Sequence, residues 1–233
     1  MCASQTDQSA HEPLSLVIVI SGFGSNLQAI LDEIAERGLP AKVAAVISDQ
    51  PEAYGLTRAR TAGIPAVCVD RSAYPNRREF EAALRARIDE AGPELIVLAG
   101  FMRILSADFV SHYTDRIINI HPSLLPDYRG LDTHARALTD GALEHGATVH
   151  FVTPELDSGP IIVQGRVFVR PDDTPDTLAE RVHQQEHRIL PQAIRWIAQR
   201  RLAVVDGVVL LNGEPALPPA LIKSSASIGG RRC

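Results

Sequence analysis

Leu14-Ser15-Leu16-Val17-Ile18-Val19-Ile20-Ser21-Gly22-Phe23-Gly24-Ser25-Asn26 is the stretch on which the fold turns. Residues 16–20 form a β-branched run with no alternating polar position, so both faces of that strand are buried, as in a parallel sheet covered by helices. The run stops at a Gly-rich turn. From Asn26 to Arg37 the spacing becomes helical, and Gly38 ends it.

The same strand-turn-helix unit recurs downstream. Strands are predicted over residues 42–48, 66–69, 94–99 and 116–120, with a helix over 76–91 that stops at Gly92-Pro93. After Gly141 the pattern changes to two apolar runs, 146–153 and 161–169, joined by a link rich in turn formers that suits antiparallel pairing. A long helix follows over 174–199, with Leu178, Val182, Ile189, Ala193 and Ile197 spaced for one buried face. Asp206-Gly207 between two short apolar runs signals a closing hairpin. The fold class is therefore α/β: a Rossmann-like, mostly parallel sheet flanked by helices, with an antiparallel extension in the C-terminal half. One domain over 14–211 is expected, with 1–13 and 215–233 as flexible tails.

Composition narrows the chemistry. At 233 residues, 45% apolar and 22% charged, the chain reads as an ordinary globular protein able to bury a large core. The net charge of −5, with no run of five like charges, leaves no basic stripe for nucleic acid. Lys42 and Lys223 are the only lysines, and neither follows a Gly-rich loop, which argues against a phosphate-loop nucleotidase and a Schiff-base enzyme. Cys2, Cys68 and Cys233 do not make a disulfide framework, the N-terminal residues lack a signal core, and no apolar run is long enough to span a bilayer. A cytoplasmic protein is expected. No helix face stands out as a subunit interface.

Three places could carry chemistry. The turn Ser21–Asn26 either is a capped strand-to-helix junction, with Ser25 or Asn26 as cap, or presents helix N–H groups to a phosphate. A dinucleotide would also place a ribose-binding acid at Asp49, but that fingerprint wants a third glycine where Leu27 stands. Asn119 and His121 lie two apart at the end of a predicted strand, so a carboxamide and an imidazole share one face, either as a buried polar pair or as donors to an oxyanion. Asp157, beside Ser158-Gly159, is a turn former or a proton carrier. No Gly-x-Ser-x-Gly elbow offers a nucleophile. His183-Gln184-Gln185-Glu186-His187 has the spacing of a zinc site on a helix, yet a third ligand is wanting, so no metal is expected and the segment reads as a solvated or ligand-facing stripe.

Taken in order, the segments 20–27, 98–105, 119–126 and 149–160 resemble the phosphoribosylglycinamide formyltransferases, folate-dependent enzymes of purine biosynthesis; the resemblance runs from about Leu14 to Leu211. It implies formyl transfer from 10-formyltetrahydrofolate to the amine of glycinamide ribonucleotide, with Asn119, His121 and Asp157 as the catalytic group and His150 in support. It further implies that Gly24, Ser25, Asn26 and Glu186 hold the ribonucleotide. Folate would lie against Phe101, Met102, Arg103, Ile104, Leu105 and Val152, with Arg77 and Arg103 meeting its glutamate carboxylates. Residues 14–100 then form a phosphate-binding half and 101–211 a folate-binding and catalytic half. His183 departs from the family pattern and stays outside the expected site. A formyltetrahydrofolate deformylase is the alternative enzyme, although only 13 residues precede the first strand, too few for the regulatory domain such enzymes carry. A phosphate-ligand binding module without catalysis is the non-enzyme alternative.

Overall fold

A computed structural model describes residues 12–216 and the strand Ala220–Lys223. The central strand β1 (Leu14–Ile20) is buried along its whole length, as its unbroken apolar run requires. Its residues alternate between two cores. Leu16, Ile18 and Ile20 pack into one, beneath α1 (Ser25–Arg37) and α6 (Pro175–Ala198). Val17 and Val19 pack into the other, beneath α3 (Arg77–Ala91) and α4 (Ala107–His112).

From β1 the chain moves outward through β2 (Ala41–Ser48), α2 (Tyr54–Thr61) and β3 (Ala66–Cys68). After α3 it returns to the other side of β1 as β4 (Leu95–Leu98), followed by β5 (Ile117–His121). β1 and β4 are neighbours whose following connections lead in opposite directions, so their C-terminal ends open a crevice at a topological switch point. Beyond β5 come α5 (Thr133–Thr139), β6 (Glu144–Phe151) and β7 (Ile161–Phe168). β6 alone runs against the other strands of the sheet, pairing antiparallel with both β5 and β7, which is the antiparallel extension expected.

α6 begins at Thr174, whose side chain accepts from the Thr177 N–H in a reciprocal capping box, with Pro175 at the first helical position. Leu178, Val182, Ile189 and Ala193 are buried as the spacing predicts, while Ile197 is only half-buried near the helix end. The hairpin of β8 (Leu202–Val205) and β9 (Val208–Leu211) turns on Asp206 and Gly207, both with positive φ, as a two-residue turn between twisted strands demands.

One expectation is corrected. The region from 215 onward does not all behave as a tail: β10 (Glu214–Pro215) extends the hairpin, and β11 (Ala220–Lys223) lies parallel to β7 at the edge of the main sheet. An edge strand leaves a row of N–H and C=O groups to be paired, and β11 satisfies those of β7. Of the expected tails, 1–13 and 215–233, residues 1–11, 217–219 and 224–233 lie outside the described residues. Among the described residues, no helix is long and apolar enough to cross a membrane.

Candidate active site

Three loops leave the C-terminal edge of the sheet together. Ser21, just past β1, accepts the Met102 N–H on its hydroxyl at 2.9 Å and donates its own N–H to the Gly100 carbonyl at 3.0 Å, tying the loop after β1 to the loop after β4. The next strand, β5, ends in Asn119 and His121.

Asn119 and His121 project to one side of β5, opposite Ile118 and Ile120, which are buried in the core under α1 and α6. Across the antiparallel pair, His150 on β6 stands in register with Asn119. His150 is buried, and burial pushes its pKa down, so the ring is neutral. Its Nδ1 faces the Phe151 carbonyl at 2.9 Å and therefore donates. Nε2 is left as an acceptor for the Asn119 amide, 3.2 Å away. The carboxamide is thus oriented with its oxygen turned away from the imidazole and one N–H uncommitted to it.

Asp157 arrives from the β6–β7 loop in a left-handed conformation, φ 47°. Its Oδ2 accepts the Gly130 N–H at 2.9 Å and lies 3.5 Å from His121 Nδ1, while Oδ1 lies 3.8 Å from His150 Nε2. His121 Nε2 faces the Tyr128 carbonyl at 2.9 Å, so this nitrogen carries a proton. The amide, the two imidazoles and the carboxylate are linked in one cluster through His150 and Asp157.

Asn26 and Glu186 meet on the other side of the strand ends. Asn26 Nδ2 donates to Glu186 Oε2 at 2.8 Å, although 160 positions separate them. Both side chains are buried, and burial pushes the Glu186 carboxyl pKa up. They line a cavity of about 330 Å³ together with Gly24, Ser25, His134 and His183. α1 begins from Gly24, which brings no capping side chain, so the first-turn N–H groups are not taken by a side-chain cap. Ser25 and Asn26 therefore lie inside the first turn, and neither is the cap; the Asn26 amide is engaged by Glu186 instead. A second concavity of about 380 Å³ lies outside α1, against Asp32, Glu33 and Glu36. Its lining includes none of the loops that follow β4 and β5.

The expected folate residues divide. Phe101 and Leu105 are buried in the core beneath α3 and α4, with Val152 packed beside them. Met102 and Ile104 are exposed, at 70% and 63%. Arg77 pairs with Glu81 at 2.8 Å, and Arg103 Nε donates to the buried Asp49 at 2.5 Å. Arg103 thus engages one oxygen of Asp49, Oδ2, in an ion pair within the protein. In the His183–His187 segment the two rings stack 5.8 Å apart, His183 Nε2 lies 3.5 Å from Glu186, and among the described residues no group of three ligating side chains could hold a metal ion.

Sequence reasoning missed Tyr128, Gly130 and His134, and left His183 outside the site although it lines the cavity. The first two act through backbone groups, which carry no residue-type signal. His183 was visible as one histidine of a helix stripe, and only the cavity shows which side it faces.

The formyl transferase family pattern matches residues 14–194. The chain belongs to the formyl transferase family. Among relatives of this family, phosphoribosylglycinamide formyltransferase of Escherichia coli (strain K12) is 48% identical over 206 residues, which is 88% of this chain and 97% of the relative. The solved phosphoribosylglycinamide formyltransferase of Coxiella burnetii superposes with a TM-score of 0.86 at 50% identity, covering 91% of this chain and 100% of that one. Glycinamide ribonucleotide transformylase 1 of Symbiobacterium toebii gives a TM-score of 0.83 at 46% identity, over 86% and 95% of the two chains. The fold of this formyl transferase is that of its solved relatives.

Proposed function

We propose that this chain transfers the formyl group of 10-formyltetrahydrofolate to the amine of glycinamide ribonucleotide, as a cytoplasmic enzyme of purine biosynthesis with a single catalytic domain over 14–211. The observation that carries the reading is the cluster of Asn119, His121, His150 and Asp157 at the end of β5. Family membership and the likeness to named phosphoribosylglycinamide formyltransferases support it.

The two faces of the sheet edge divide the work. Gly24, Ser25, Asn26 and Glu186 hold the ribonucleotide on the side of α1 and α6, with its phosphate at the start of α1. Folate lies over the loop from Phe101 to Leu105 and against Val152, on the side of α3 and α4. Phe101 and Leu105 support that loop from beneath, and its exposed surface is Met102, Arg103 and Ile104. Arg103 and Arg77 meet the glutamate carboxylates with the donors left over from Asp49 and Glu81. The reacting atoms meet between these two sides, at Asn119 and His121.

In the reaction, the neutral amine attacks the formyl carbon and forms a tetrahedral centre. The Asn119 N–H not given to His150 stabilises the oxyanion together with the His121 imidazole. Asp157, through one water, receives the proton that the amine loses and delivers it to the folate nitrogen as the carbon–nitrogen bond breaks. No metal ion or covalent enzyme intermediate is needed.

Mixing the protein with glycinamide ribonucleotide and 10-formyltetrahydrofolate tests the reading. Loss of the folate formyl group that depends on the acceptor is the expected result. Loss without acceptor would make the protein a deformylase, and binding without turnover would make it a binding module.

A further inference from the structure

α2 contains none of the residues assigned above, yet it is fastened to the loop after β1 by hydrogen bonds and close packing. The Gly55 N–H donates to the Gly22 carbonyl at 3.1 Å, and Arg58 Nε donates to the Phe23 carbonyl at 3.0 Å. Both carbonyls are thereby committed to α2, away from an anion at the start of α1. Arg58 Nη1 also donates to Gln28 Oε1 at 2.9 Å, which joins α2 to the first turns of α1.

The packing is equally close. A Cβ on Gly24 would meet Gly55 Cα at 2.8 Å, so the two backbones touch where only glycine fits. Phe23 and Tyr54 stack with centroids 5.2 Å apart, and the Arg58 guanidinium lies 4.5 Å from one ring and 4.9 Å from the other. Phe23 is 64% and Tyr54 51% exposed, so this pair is not a core contact. Two large surface rings close to one guanidinium hold it through the ring quadrupoles.

We infer that Arg58 is a positioning residue for the phosphate of the acceptor: it holds the carbonyls of the loop after β1 outward and adds a fixed positive charge behind the N–H groups that receive the anion. An unrestrained Gly-rich loop would sample conformations in which the Phe23 carbonyl faces the site and repels the phosphate. Arg58 removes those conformations before binding, which lowers the ordering cost of the complex. It acts on ribonucleotide binding and leaves the folate side untouched. The inference deepens the formyl-transfer reading and rests on it for the identity of the acceptor.

The test compares wild-type protein with Arg58→Met, which keeps a stem over the rings and removes every donor, and Arg58→Lys, which keeps the charge and loses the Nε bond. Steady-state kinetics give KM for each substrate and kcat. Calorimetric titration with inorganic phosphate reads the loop without chemistry. Arg58→Met is expected to raise the ribonucleotide KM and weaken phosphate binding by about tenfold, the scale of one hydrogen bond to a charged group. KM for 10-formyltetrahydrofolate, kcat and the melting temperature stay near wild type, and Arg58→Lys falls between the two. An unchanged ribonucleotide KM and phosphate affinity overturns the inference, as does an equal rise in both KM values with a lowered melting temperature, which marks a general structural role. If wild-type protein binds phosphate but does not formylate the ribonucleotide, the acceptor reading fails while the phosphate titration still decides Arg58. Absence of both activities in the wild type overturns both.

Discussion

The Asn119 amide is held by His150, 3.2 Å away on the neighbouring antiparallel strand, and His150 is in turn held by the Phe151 carbonyl. A carboxamide is a useful oxyanion donor only if its nitrogen, and not its oxygen, faces the developing charge. The chain of acceptors from Phe151 to His150 to Asn119 makes that choice by geometry. His150→Leu leaves the amide free to flip, and kcat is expected to fall by about tenfold or more, short of the 10² to 10³ lost when such a donor is deleted outright. KM for the ribonucleotide stays near wild type. Single-turnover rates with both substrates saturating check the value.

Asp157→Asn separates the proton-carrying role proposed for this residue from its structural one. The substituted amide still offers an oxygen to the Gly130 N–H, the bond that holds the overlying loop. The fold and phosphate binding should survive, while turnover drops by a factor on the order of 100 or more, as for loss of a positioned proton-transfer group. Wild-type turnover in this variant would remove Asp157 from the mechanism.

Gly159 allows the loop that carries Asp157 to close against β6. A Cβ there would sit 1.9 Å from the Phe151 carbonyl oxygen, and the Phe151 N–H is already paired with the Pro160 carbonyl at 2.9 Å, so neither strand end can yield without breaking a bond. Gly159→Ala is expected to cost about 2 kcal/mol or more of stability, as overpacking against backbone does. It should also lower kcat by displacing Asp157. Denaturant midpoints and kcat, measured on the same preparation, check both effects.

Acid should destabilise the protein through its buried histidines. Burial, with the nearby His134, pushes the His145 pKa from 6.5 to about 4, and burial likewise pushes His134 and His150 down. A depressed histidine pKa means that the unfolded chain binds the proton first. The stability it contributes is complete above pH 6.5 and is lost as the pH falls from 6.5 towards about 4. The melting temperature is expected to decline through that window, and His145→Gln should flatten the decline. Equal slopes in the two proteins would exclude His145 as a source of the effect.

Much of this was legible in the linear chain, and for a definite reason. Burial on both faces requires an unbroken apolar run, so β1, β2, β4 and β5 announce themselves as parallel strands. Helix ends depend on local caps, so Asn76 and Thr174 mark starts that the structure places at the same positions. Asn119 and His121 share a face by strand geometry alone. α2, in contrast, is short, contains Gly55 and has no strong apolar face, so its eight residues, 54–61, leave little pattern to read.

Sequence alone therefore determined the layers, the order of the strands along the chain and the residue types gathered at their C-terminal ends, because these follow from periodicity within one element. Tertiary structure decided the partners. Glu186 could have faced solvent on its helix, Arg103 could have reached outward, and Arg58 carries the same charge as any other arginine. The passage of α6 over α1 brings Asn26 to Glu186, the crossover from β3 back to β4 brings Asp49 to Arg103, and the packing of α2 against the loop after β1 brings the Phe23 carbonyl to Arg58. A hydrogen bond forms only within about 3 Å, and which groups come that close depends on contacts between elements far apart in the chain, to which no local pattern responds.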